Sequence, residues 1–362
     1  PYPCYMFTMS SFVLRTLPVY IWICIAGSAC MQTAHLNVLQ PAQMKIPDHI
    51  TVVAVADRRK PTNGSLKVLV GLVTGEAIGQ DRGGRQRAMD GILSSLTRTP
   101  RFQVRSTGVE MTGSKAGVNL PNPLEWSEVQ RLCRDHGADA LLTIESFDSD
   151  NNVFCRKTES KSKKDGKEVI TVHYNSEQRT GVRMGWRLYD PKMKVILDEY
   201  VTNDYLTRNA SGNSEAEAKR NLPAPVQVTR DVARIAGEHY GMRVAPVYVN
   251  INRNYYGKIK GYKSESKRAA TFAKAGEWER AAGLWKLIAE RDAQNNTKAA
   301  GRAAYNMAVA AEMQGHLDVA LDWAKKAGLD MGNKEVRRYI ETLKMRENDL
   351  RKVEYQMNEK RP

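Results

Sequence analysis

The sequence predicts an α+β protein: an N-terminal α/β domain with a mixed sheet and an antiparallel meander, followed by α-helical repeats. Three observations carry this. Strand and helix periodicities alternate between residues 50 and 147. Period-two runs then follow one another between 168 and 205, and beyond 263 only helical spacing occurs, with a recurring Gly-to-Ala pattern. At 362 residues, with 42% hydrophobic and 26% charged, the chain has a globular composition, which excludes a disordered or collagen-like polymer. Only one apolar run approaches spanning length, which excludes a multi-span membrane protein. The expected divisions are 1–29 signal peptide, 30–46 tether, 47–262 α/β domain, 263–332 helical repeats and 333–362 capping helix.

The first element is an address. Arg15 supplies a single charge, Leu17 to Ile25 form a short apolar core, and Ala26-Gly27-Ser28-Ala29 lead to Cys30. Charged start, apolar core and small-residue site are the order of a secretory leader. A cysteine at its end is what lipid modification of a bacterial lipoprotein requires, so Cys30 is the expected lipidation site. Gly27 departs from the usual Leu three positions before that cysteine. Simple secretion and an uncleaved anchor therefore stay open. Pro1 to Thr8 precede Met9, a candidate initiator, and carry no structural signal. A diacylglyceryl group on Cys30 would satisfy the need for more than one acyl chain in stable anchoring. Met31 to Met44 then read as a tether without an acidic export cluster, which favours a periplasm-facing position at the outer membrane.

Ile50 to Ala56 is a β-branched run expected to be a buried strand. Ser65 to Gly79 is expected as a short apolar helix, and Asp81 to Thr97 as an amphipathic one with Ala88, Ile92, Leu93 and Leu96 inward. Phe102 to Ser106 alternates as a strand does. Ser127 to His136 reads as a helix capped by Ser127, with Val129, Leu132 and Cys133 inward and Gly137 ending it. Ala138 to Phe147 is the next strand. The meander comprises Glu168 to Asn175, Arg179 to Tyr189 and Val195 to Tyr205, separated by turns at Ser176-Glu177-Gln178 and Asp190-Pro191-Lys192-Met193. Ser214 to Tyr240 returns to helix, broken near Pro223 and Pro225.

Chemistry is sparse. Cys133 and Cys155 remain once the leader and anchor cysteines are set aside. A disulfide between them suits an oxidising compartment, and a buried free thiol at Cys133 is the alternative. No Cys/His spacing suggests a metal, and the glycines at 71–84 form no phosphate-binding motif, so no metal and no cofactor are expected. His136, His173 and His239 read as structural. Lys161, Lys163, Lys164 and Lys167 read as a solvated hairpin tip. Asp57, Glu76, Asp139 and Glu145 lie near strand ends, where open α/β sheets hold ligands, but no nucleophile or base joins them, so no catalysis is expected.

The repeat lies in Ala275-Gly276-Glu277-Trp278-Glu279-Arg280-Ala281 and Gln314-Gly315-His316-Leu317-Asp318-Val319-Ala320, with small residues Ala269 and Ala308 upstream. It resembles the tetratricopeptide repeat: small residues where paired helices cross, and glycine where the turn needs positive φ. Lys334 to Glu354 would cap the array through Val336, Tyr339, Ile340 and Leu343.

Ile50 to Arg59, Gly75 to Val104, Leu124 to Phe147, Trp186 to Tyr200 and these helices together resemble an uncharacterised Bacteroidota family of periplasmic lipoproteins. In that family a domain of unknown function precedes a short tetratricopeptide segment. The resemblance implies a cell-envelope location and a role in protein assemblies, and brings no catalytic residue. The expected function is therefore an envelope lipoprotein that binds an envelope protein or peptide through its helices, with Lys274, Arg302, Tyr305 and Asn306 as groove residues. The alternatives are a ligand-binding or enzymatic α/β domain, and a basic surface for anionic lipid or polysaccharide, motivated by the formal charge of +15. Nucleic acid is not expected, because aromatic and basic residues do not interleave.

Overall fold

The apolar run at 52–56 has no polar alternation because both faces of its strand are covered. In the computed structural model, which describes residues 31–60, 80–112, 120–295, 297–330, 332 and 334–358, this strand is β2 (Val52–Lys60). The anchor reading at Cys30, the helix expected at Ser65 to Gly79, and Glu76 lie outside the described residues. The chain divides into two units. One holds the described residues of 39–249 and 349–362, the other those of 1–38 and 250–348.

The first unit is built on a five-stranded sheet in the order β3-β2-β4-β5-β6, with β3 Gln103–Thr112, β4 Ala140–Lys164, β5 Lys167–Asp190 and β6 Val195–Gly212. β2 runs parallel to β3 and β4, and the remaining pairs are antiparallel. One face of the sheet, with Val53, Val55, Leu142, Ile144 and Trp186, packs on α1 (Gln80–Leu96) and α4 (Pro225–Val244). Its other face, with Ala54, Ala56, Leu141 and Tyr189, packs on α2 (Trp126–Asp135) through Val129, Leu132 and Cys133. The two-sided cover explains the unbroken apolar run. α1 and α4 cross at backbone contact: a Cβ on Gly91 would lie 2.1 Å from the Arg234 carbonyl, and one on Gly237 2.1 Å from that of Ala88.

Several local expectations changed on folding. Ser127 does not cap α2; Glu125 holds that position with no side-chain bond, and Ser127 sits inside the first turn. Gly137 ends α2 at φ +56, as a left-handed stop requires. No turn forms at Ser176-Glu177-Gln178, because β5 runs through it unbroken. Ser176 and Gln178 are polar yet point inward, and the Gln178 Nε2 donates to Asn151 Oδ1 at 2.8 Å. The turn at 190–193 does form, its Asp190 Oδ1 accepting from the N–H groups of Lys192 and Met193. The prolines separate α3 (Glu215–Arg220) from α4; at the start of α3 the Ser214 hydroxyl accepts from the Glu217 N–H, and the Glu217 carboxylate accepts from the N–H of Asn213.

The second unit contains the two-stranded sheet of β1 (Met31–Gln40) and β7 (Val247–Tyr256) and the C-terminal helices. Residues 31–40 are thus a strand rather than a tether, and β7 carries the alternation of Val247, Val249 and Ile251. The division between units falls at residue 250, inside β7, not near 262. α5 (Lys263–Lys274), α6 (Trp278–Arg291), α7 (Thr297–Met313) and α8 (Leu317–Lys325) pack in succession, and a π-helical turn (Lys326–Asp330) precedes α9 (Val336–Asn358). Gly276 and Gly315 take φ of +80 and +85 in the turns after α5 and α7. α7 is buried almost along its length, which its alanines permit by allowing close approach on several sides.

Candidate functional site

Glu145 is the centre of the most developed polar cluster. It shares the α2 side of β4 with Leu141 and Thr143, and its side chain is fully buried. Its Oε1 accepts from the Thr143 hydroxyl and the Tyr189 phenol, both at 2.7 Å. The Oε2 accepts from Arg58 at 2.5 Å, with Arg187 at 3.4 Å. Arg187 also donates to Glu199 at 2.6 Å and to the Pro121 carbonyl, and Arg58 to the Asn122 carbonyl at 2.9 Å. Burial works to depress the Arg187 guanidinium, but its bond to Glu199 and the Glu145 charge outweigh this and hold it above its ordinary value. Burial and then the Glu145 charge push the Tyr189 phenol up to about 12. The cluster ties residues 121–124 to the carboxyl ends of the parallel strands, where ligands are expected in such sheets. Every oxygen of Glu145 is already engaged, which is the chemistry of a structural tie.

A cleft of about 610 Å³ lies towards the opposite strand ends, lined by His49, Gln130, Cys133, Asp139 and Lys192 among others. The His49 Nε2 stands 2.9 Å from a carboxylate oxygen of fully buried Asp190. Burial, then the charges of Asp139 and Asp190, push the Cys133 thiol up to about 12, so it is protonated at neutral pH and unsuited to attack. Asp139 is taken by the backbone and hydroxyl of Thr51 and the N–H of Val52. Burial alone would raise this carboxyl, but those bonds hold it below its ordinary value. No group of side chains that could hold a metal ion occurs among the described residues.

Of the two alternatives left open for Cys133 and Cys155, the structure has the free thiols: no disulfide joins them, and Cys133 is buried. Cys133 packs against Leu141, whereas Cys155 lies far along β4 on the order of 40 Å from that contact, well beyond bridging distance.

The four expected groove residues do not line one groove. Asn306 is fully buried, and its amide donates to the Tyr256 carbonyl and accepts from the Tyr256 N–H, both at 2.8 Å. It replaces a strand neighbour for β7. Tyr305 is buried in ring contact with Tyr256 and Tyr339. The Arg302 guanidinium lies over the Tyr256 ring at 4.9 Å, and Lys274 is exposed at the end of α5. Beside them, the buried Glu312 carboxylate accepts from Arg253, Arg346 and Tyr339 at 2.6–2.9 Å. Burial opposes its charge, but these donors prevail and hold Glu312 below the usual carboxylate range. A lone acid within the apolar run Val309-Ala310-Ala311-Glu312 was the overlooked signal.

The β4–β5 ribbon is largely exposed. β4 and β5 pair from Leu141↔Tyr189 to Lys164↔Lys167 with one register shift between Ile144 and Ser146, and Asp165 and Gly166 close the turn at φ of 53 and 75, as a type I′ hairpin requires. The lysines at 161–167 thus sit at a hairpin tip, as expected. β6 reaches only to Gly212 opposite Tyr174, so residues 158–173 continue as two strands alone. At its foot a hollow of about 670 Å³ is lined by Phe154, Arg156, Asn175 and Ser211 among others. Asn175 links Thr158 to Ser211 across three strands there. Phe154 is 64% exposed and Ile170 54%.

Fold and site together define a two-part α+β chain with closed polar ties inside and an open β-ribbon outside. The chain belongs to the family described as Domain of unknown function (DUF8603), whose model matches residues 48–256. A second model, Domain of unknown function (DUF6340), matches residues 267–345. No curated protein matches the sequence. Among solved structures, the chain is similar to TolB from Acinetobacter baumannii at 11% identity and TM-score 0.21, over 58% of this chain and 31% of that one. It is also similar to a neuraminyllactose-binding hemagglutinin homolog from Helicobacter pylori, at 10% identity and TM-score 0.19, over 56% and 87% of the two chains. PelC from Paraburkholderia phytofirmans, a dodecamer, gives 12% and 0.19, over 59% and 98%. The chain therefore spans about a third of the TolB molecule, and likenesses at this level say nothing of function.

Proposed function

We propose that this protein is a lipid-anchored interaction protein of the cell envelope, held at the periplasmic side of the outer membrane by Cys30, with no catalytic step of its own. The leader-like pattern ending in Cys30 supports the location. The β4–β5 ribbon supports the interaction role and carries the reading: two strands without a third neighbour are marginal alone in water, yet here they hold exposed Val169 and Ile170. The tetratricopeptide-like helices form the supporting body in this reading. Their Tyr305 and Asn306 face inward onto β7, so the contact element is placed on the ribbon instead of a helical groove. Saturation of Glu145 and Glu312 by donors is consistent with structural carboxylates.

The test is photo-crosslinking in cells, with the crosslinker at Phe154 or at Lys274. Discrete adducts from position 154 but not 274 are expected, and they should disappear when Cys30→Ser releases the chain from the membrane. Adducts only from 274, or undiminished adducts from position 154 with Cys30→Ser in the soluble fraction, would overturn the reading.

A further inference from the structure

We infer that the end of the β4–β5 ribbon docks on an anionic lipid surface, its lysines meeting headgroup phosphates and its aliphatic side chains entering the interface. This rests on the reading of the ribbon as the contact element and names what it contacts.

Residues 156–168 carry six basic side chains against three acidic ones. Two of the acids are already neutralised in place: Glu159 by Lys157 at 2.7 Å and Glu168 by Lys161 at 3.1 Å. The third, Asp165, lies in the turn; Lys163 and Lys167 make no ion pair among the described residues, and the tip keeps a net positive charge. A phosphate surface supplies the missing partner.

Charge alone would suit any polyanion, and the aliphatic residues decide between them. Ile170 lies directly opposite Lys161, and Val169 opposite Ser162, each next to the lysines along the ribbon. They are 54% and 39% exposed. A soluble polyanion would engage the lysines and leave both side chains in water. At a bilayer the lysine stems lie along apolar surface while their ammonium groups reach phosphate, and the aliphatic groups leave water in the same step. The reach is adequate: the tip stands about 25 Å along the ribbon from the last β6 pair at Tyr174. The type I′ turn keeps the end narrow, so both strands can approach a plane together.

The experiment uses the full chain carrying Cys30→Ser, so that no acyl group contributes, and measures partition onto phosphatidylcholine vesicles with or without phosphatidylglycerol. Binding is expected only with phosphatidylglycerol and should fall with added salt. Each lysine lost should weaken partition about five-fold, hence about 100-fold for Lys161→Ser/Lys163→Ser/Lys167→Ser combined. Ile170→Ser should weaken it roughly ten-fold, and Ile170→Trp should show a blue-shifted emission on vesicles. These positions are exposed, and an unchanged thermal transition checks that each variant folds. Equal partition onto neutral vesicles, no effect of the triple substitution, or equally tight binding to inorganic polyphosphate with Ile170→Ser silent would each overturn the inference. If vesicle binding is absent while adducts from position 154 persist, this inference fails and the interaction reading stands; absence of both removes the two together.

Discussion

Replacing Glu145 with alanine removes the one carboxylate that lies between Arg58 and Arg187. Their side chains are 10% and 4% exposed, and that of Glu145 is fully buried, so water cannot readily take its place. Breaking a buried ion pair by deleting one partner costs about 3–5 kcal/mol, because a desolvated charge is left uncompensated. Arg58 is left without its carboxylate here while Arg187 keeps Glu199, and the Thr143 and Tyr189 hydroxyls lose their shared acceptor. The expected loss is therefore about 3–5 kcal/mol. For a unit of this size each kcal/mol lowers the transition by about 2–4 °C, so the midpoint should fall by roughly 10 °C or more. Glu145→Gln keeps an acceptor for one hydroxyl and loses only the charge, and should cost about half as much. Thermal unfolding gives the size of the effect, and hydrogen exchange of peptides covering 140–147 and 185–190 assigns it to the sheet. A loss under about 1 kcal/mol for the alanine variant would refute the closed-network account, since it would mean that the arginines find other partners or water.

Gly91→Ala or Gly237→Ala should destabilise the sheet unit by about 3 kcal/mol or leave it insoluble, because each new Cβ would meet a backbone carbonyl of the facing helix at 2.1 Å; urea titration measures this. Gly276→Ala and Gly315→Ala meet no neighbouring atom, so each should cost only the left-handed backbone strain, about 1–2 kcal/mol, read as a lower helical transition. Glu312 has a folded pKa depressed below its unfolded value of about 4.3, so its contribution is present above that pH and is lost as pH falls further; Glu312→Gln should flatten the acid limb of stability against pH. Tyr339 is shifted the other way, by burial first and then by Glu312, so above about pH 10 the unfolded phenol ionises before the folded one and stability declines; Tyr339→Phe should remove that slope. Reductant should leave the unfolding midpoint unmoved, and a thiol reagent should label Cys155 in the native chain but Cys133 only after unfolding.

Much of the sheet unit was legible because its signals are local. β2, α1, α2 and α4 each carry an apolar stripe or run within a dozen or so residues, and Val129, Leu132, Val228, Val232 and Ala236 are buried where spacing placed them. The candidate sites were less legible. Glu145 was singled out by position at a strand end, but its saturation depends on Arg58, Arg187 and Tyr189, which come from two other strands. Asn306 and Tyr305 were placed outward on helical spacing. An amide with both donor and acceptor can be buried at no loss when an unpaired strand lies against it, and only β7 makes that so.

By itself, the sequence determined the fold class, the helical stripes, the glycine turns at 276 and 315 and the lysine-bearing hairpin end, since each follows from the side chains and backbone freedom of neighbouring residues. Tertiary structure alone decided that 31–40 pairs with 247–256, that β5 passes unbroken through polar 176–178, and that the two cysteines stay apart. Those outcomes are set by hydrogen-bond partners and burial supplied from more than two hundred residues away or from across the sheet, and such contributions leave no mark on local periodicity.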